Sequence, residues 1–99
     1  MAIILAIDDS LTDLTMIQYI LSEHDLFLAG NGLEGLQKLS DNPEIDLILL
    51  DLRMPVLDGF GFLERFSTMG LDIPIMILTN AEEVEMEIHG LEMGAVDYI

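Results

Sequence analysis

The chain has 99 residues, 52% of them hydrophobic and none of them cysteine, which allows one small domain with a real core and excludes disulfide and thiolate chemistry. Nineteen acids stand against three bases, Lys38, Arg53 and Arg65, for a formal charge of −16. That balance excludes nucleic acid and an anionic membrane as partners, because both would repel it, and favours cations and basic protein surfaces.

The first apolar run, IILAI (3–7), has no basic leader and passes straight into Asp8-Asp9, so it reads as a strand and not as a signal peptide. Leu14, Ile17 and Leu21 then recur at helical spacing, with Ser10 or Thr12 as the N-cap. LFLA (26–29) is the second strand. Leu33, Leu36 and Leu39 mark a second helix, opened by Asn31 and closed by SDNPE. LILL (47–50) is the third strand and ends on Asp51. Phe62, Leu63 and Phe66 mark a third helix that stops at Gly70. IMIL (75–78) is the fourth strand and runs into Thr79-Asn80. Val84, Ile88 and Leu91 mark a fourth helix ending near Gly94, and VDYI opens a fifth strand at Val96. No run approaches the roughly 18 apolar residues of a membrane span, so a cytoplasmic location is expected.

Strands that are continuously apolar, alternating with amphipathic helices, predict a doubly wound α/β domain over residues 1–99 with a parallel sheet covered on both faces. Ligands of such sheets bind beyond the carboxyl ends of the strands, where strand order reverses. The residues at those ends are Asp8 and Asp9, Asp51, and Thr79 with Asn80. If the first and third strands are neighbours, three carboxylates converge there. Like charges so placed raise one another's pKa and destabilise the fold unless a cation sits among them. Hard oxygen ligands in a small site suit Mg²⁺.

IDDS, LLDLRMPVLDG, ILTNA and GAVDY resemble, in order and spacing, the signature segments of bacterial response-regulator receiver domains, the CheY-like superfamily, over Ile3 to Ile99. The resemblance implies a flavodoxin-like sheet of strand order 2-1-3-4-5. It implies that Asp51 accepts a phosphoryl group from a sensor histidine kinase or a histidine phosphotransfer protein, with Mg²⁺ as cofactor. Asp9 would be a direct metal ligand, Asp8 would act through water, and the backbone carbonyl of Arg53 would complete the protein's share of the shell. Thr79 resembles the switch hydroxyl and Tyr98 the switch aromatic. Pro55 and Gly59 would shape the loop after the acceptor, and Asp58 would start the third helix. The family's lysine would fall two residues past Ile99 and its fifth helix beyond that. The 99 residues therefore lack the last helix of the pattern, which implies a bare apolar sheet face and a homodimer through it.

Other readings compete. A receiver-like interaction module that is not phosphorylated is the alternative, set apart by metal-dependent labelling with a small phosphodonor. GNGLEG (30–35) matches a dinucleotide fingerprint formally, but it does not occupy the first βα turn, and Asn31-Gly32 as a helix start with Gly35 as a packing position accounts for it. A haloacid-dehalogenase-like phosphatase would want a second acid two residues after the nucleophile, where Arg53 stands.

Overall fold

Residue patterning fixes each element before packing joins them. In the computed structural model, which describes residues 1–52 and 56–78 and the backbone of 97–98, the order is β1 (Ile3–Ile7), α1 (Leu11–Ile20), β2 (Asp25–Ala29), α2 (Gly32–Asp41), β3 (Leu47–Asp51), α3 (Gly59–Phe66), β4 (Ile75–Leu78) and β5 (Asp97–Tyr98). The strands form one parallel sheet in the order β2-β1-β3-β4-β5, as expected. The expected fourth helix, with Val84, Ile88 and Leu91, lies outside the described residues.

Each helix start is set by a side chain that accepts from an otherwise orphaned backbone N–H. Ser10 Oγ accepts from the N–H of Asp13 at 3.2 Å, so Ser10 and not Thr12 is the cap of α1. Asn31 Oδ1 accepts from Glu34 N–H at 2.9 Å, and Glu34 Oε1 reaches back to Gly30 N–H at 3.1 Å. Asp58 Oδ1 accepts from Gly61 N–H at 2.8 Å and opens α3.

Alternation along β1 divides the core. Leu5 and Ile7 point to the face covered by α2 and α3, where they join Ile48, Leu50, Phe62 and Ile77. Ile4 and Ala6 point to the other face, with Leu14 of α1 and Leu49. The α2 and α3 layer comes close enough to need glycine. A Cβ on Gly35 would lie 2.5 Å from Ile7 Cδ1, and one on Gly32 would lie 2.5 Å from the Leu57 carbonyl oxygen, which accepts from Gly32 N–H. Gly32 and Gly35 of GNGLEG are thus spent on packing.

On the α1 face the cover is thinner. The helix mixes apolar and polar residues around its circumference and leaves Leu11, Tyr19 and Ile20 at 78%, 84% and 68% exposure. Beside it runs an apolar trough of about 440 Å³, lined by Ile4, Ile17, Ile20, Leu49, Met76 and Leu78 among others. His24, at the trough's end, accepts the Ala2 N–H on Nδ1 at 3.0 Å, a structural role and not a ligand's. Among the described residues, no helix is long and apolar enough to cross a membrane.

Candidate functional site

The sheet register brings the acids together. Ile7 is level with Leu50 across β1 and β3, so the next residue of each strand, Asp8 and Asp51, ends side by side. Parallel strands lie about 4.8 Å apart, which is within reach of two carboxyl groups. Asp8 N–H donates to the Ala29 carbonyl at 3.0 Å, extending the β1–β2 ladder by one bond and fixing where β1 ends. One carboxylate oxygen from each of Asp8, Asp9 and Asp51 lies within 4.8 Å of the others.

The three differ in setting. Asp8 is 3% exposed, and its Oδ1 accepts from Ser10 N–H at 2.9 Å. Asp51 is half-buried and Asp9 is open to solvent. Burial raises the Asp8 pKa above the ordinary carboxylate value. The Ser10 N–H works against that shift, the charge of Asp13 adds to it, and side-chain contacts with Asp51 and Asp13 pull in opposite directions. Contact between carboxyl groups is attractive only when a proton or a cation lies between them. The donor set, three carboxylates around one small volume, fits a hard divalent cation.

Behind Asp51 the chain is held by close backbone packing. Gly59 N–H donates to the Leu52 carbonyl at 3.0 Å. A Cβ on Gly59 would lie 2.6 Å from Leu52 Cα and 2.7 Å from the carbonyl oxygen of Asp51 itself, so the glycine after Asp58 is required by contact. Val56, in the same loop, sits at φ 70°, a left-handed conformation that a β-branched side chain rarely adopts. Its side chain is 73% exposed.

Of the residues expected at the site, the structure brings Asp8, Asp9 and Asp51 together. Asp58 caps α3 as expected. Arg53, Pro55, Thr79 and Asn80 lie outside the described residues, as does the side chain of Tyr98. The backbone of Tyr98 lies in β5, level with Ile77 of β4.

A doubly wound parallel sheet with a buried and an exposed acid after β1 and a third at the end of β3 defines a class: α/β domains with an acidic group at a topological switch point that could hold a cation. The response regulator receiver domain family matches residues 4–99, and the chain belongs to that family. The chain is 38% identical over 98 residues to the alkaline phosphatase synthesis transcriptional regulatory protein PhoP of Bacillus subtilis (strain 168), covering 97% of this chain and 40% of that protein. It is 35% identical over 98 residues to the transcriptional regulatory protein ZraR of Klebsiella oxytoca, covering 97% and 22%. The chain thus spans less than half the length of these curated relatives. Among solved structures, it is similar to a response regulator receiver domain protein from Clostridium thermocellum, with a TM-score of 0.92, 29% identity and coverage of 100% of this chain and 81% of that one. It is also similar to the Vibrio cholerae chemotaxis protein CheY4, with a TM-score of 0.82, 30% identity and coverage of 100% and 85%. Receiver domains are signalling modules of two-component systems and bind Mg²⁺ at an acidic site, and the Asp8, Asp9 and Asp51 group could hold such an ion.

Proposed function

We propose that the chain accepts a phosphoryl group on Asp51 from a sensor histidine kinase or a histidine phosphotransfer protein. The observation that carries this is the convergence of Asp8, Asp9 and Asp51, with Asp51 neither sealed in like Asp8 nor fully open like Asp9. An Asp51 carboxylate oxygen attacks phosphorus, the phosphorus–nitrogen bond of the donor's phosphohistidine breaks, and the leaving imidazole keeps the electron pair and takes up a proton. A carboxylate approaches an anionic phosphoryl group poorly on its own. Asp9, Asp51 and the Arg53 carbonyl would hold Mg²⁺, with Asp8 acting through water, and the ion would supply charge neutralisation for the phosphoryl group. Thr79 is the hydroxyl that closes on the phosphoryl oxygens, and Tyr98 is the aromatic that responds. A second copy of the 99-residue chain is the proposed occupant of the trough beside α1, because among the described residues no acidic side chain lines it in a molecule of −16 charge.

Thermal unfolding with and without millimolar Mg²⁺ tests the site. The parent should gain stability through binding to the native state alone, and the gain should shrink sharply in Asp9→Asn. Equal gains in the two proteins would refute the assignment.

A further inference from the structure

We infer that Leu57 is a positioning residue for phosphoryl transfer, which fastens α2 to the backbone that holds Asp51. The inference rests on Asp51 as the acceptor and goes beyond that reading, because it assigns a part in the reaction to an aliphatic residue outside the acidic group.

Three consecutive residues, Leu57, Asp58 and Gly59, each anchor the chain to a different element. Leu57 is held by α2. Its carbonyl accepts the Gly32 N–H at 3.0 Å, a donor at the first position of the helix that has no partner within it. Asp58 is held by α3, whose Gly61 N–H donates to Asp58 Oδ1 at 2.8 Å. Gly59 is held by β3, donating its N–H to the Leu52 carbonyl at 3.0 Å and lying against the Asp51 carbonyl oxygen.

The Leu57 side chain makes the first of these anchors rigid. It lies between two glycines, one near the start of each helix. A Cβ on Gly32 would stand 3.1 Å from Leu57 Cβ and Cγ, and a Cβ on Gly61 would collide with Leu57 Cδ1. Just upstream, Val56 keeps φ 70° with its side chain in solvent, so no burial of its own holds that conformation. A strained residue persists only where its surroundings over-determine it, and the junction that follows does so.

Asp51 thus takes its position from α2 and α3 as well as from the sheet. Trimming Leu57 frees the junction on its α2 side. A carboxylate that must meet phosphorus in line is sensitive to small displacements. A residue that mattered only for packing would lower stability without singling out the transfer step.

The test is the rate of labelling by acetyl phosphate at saturating Mg²⁺, read by intact mass on the parent, Leu57→Ala, Leu57→Met and Leu39→Ala. The temperature is one at which circular dichroism shows all of them folded, and Leu57→Val replaces Leu57→Ala if the latter does not fold. Leu39 is fully buried near the far end of α2, so its variant loosens the same helix away from its first turn. Leu57→Ala should label about ten- to a hundredfold more slowly than the parent. Leu57→Met should stay within about threefold of it. Leu39→Ala should keep the parent's rate despite a lower melting temperature. Amide exchange at Gly32, read by NMR, should quicken in Leu57→Ala and not in Leu57→Met, which reports the anchor independently of labelling. Parent-rate labelling in Leu57→Ala, equal slowing in Leu39→Ala, or unchanged exchange at Gly32 would overturn the proposal. A parent that binds Mg²⁺ and takes no label would overturn the acceptor reading itself, and the Leu57 role with it.

Discussion

Gly59→Ala isolates the contact that sets Asp51 in place. The added methyl would meet Leu52 Cα at 2.6 Å, the Asp51 carbonyl oxygen at 2.7 Å and Leu52 Cδ2 at 2.9 Å. Two of these are backbone atoms of a strand end whose neighbour, Leu52, is fully buried, so neither can swing aside. The start of α3 must move by several tenths of an ångström, or the β3 end must. Overpacking of this kind costs about 1–3 kcal/mol. Alanine's better helix propensity returns up to about 1 kcal/mol. A net loss of about 1–2 kcal/mol is expected, which for a domain of this size lowers the melting temperature by roughly 5–15 °C. Gly30→Ala is the control, since nothing lies within 4 Å of a Cβ there. Urea unfolding followed by circular dichroism, with Mg²⁺ affinity measured on the same samples, reads both arms. Gly59→Ala should lose stability and bind Mg²⁺ more weakly, because the Asp51 backbone is displaced, while Gly30→Ala should match the parent within about 0.5 kcal/mol. Equal midpoints for the two variants would refute the contact argument.

Three further outcomes follow from other parts of the structure. The raised pKa of Asp8 means that, without a divalent cation, its contribution to stability is full below the unfolded pKa and is lost as pH rises through the folded value. Asp8→Asn should therefore melt higher than the parent near neutral pH in chelator and lose that advantage near about pH 4, and a constant difference across the range would contradict this. Val56→Gly should stabilise by about 1 kcal/mol by relieving the left-handed conformation at φ 70°, read as a shifted urea midpoint, and a loss of stability would show that the side chain is needed in the loop. Sedimentation of the 99-residue chain should show a two-fold dimer that strengthens with salt, as screening lets two −16 copies meet across the trough, and a monomer at high micromolar concentration in both salts would contradict it.

Much of this was legible in the sequence, for identifiable reasons. Strands such as IILAI and LILL were readable because an interior strand of a parallel sheet is apolar on both faces, and β1 proves buried from Ile4 to Ile7. Asn31 and Asp58 were readable as helix starts because the cap is a local hydrogen bond. The meeting of Asp8, Asp9 and Asp51 followed once β1 and β3 were taken as neighbours, but that adjacency came from the family resemblance and not from the residues. The conformation of Val56 was hidden, since nothing in a valine signals positive φ. Arg53 and Thr79 lie outside the described residues, so their roles remain proposals from the resemblance.

Covalent labelling tests the central claim most directly. The chain is incubated with acetyl phosphate and Mg²⁺, and the intact mass is followed in the parent and in Asp51→Asn, each with and without chelator. The account predicts one added phosphoryl group in the parent, lost on chelation and absent from Asp51→Asn. Labelling that survives in Asp51→Asn or ignores Mg²⁺ would contradict it, and an unlabelled parent that still binds Mg²⁺ would mark the chain as an interaction module that is not phosphorylated.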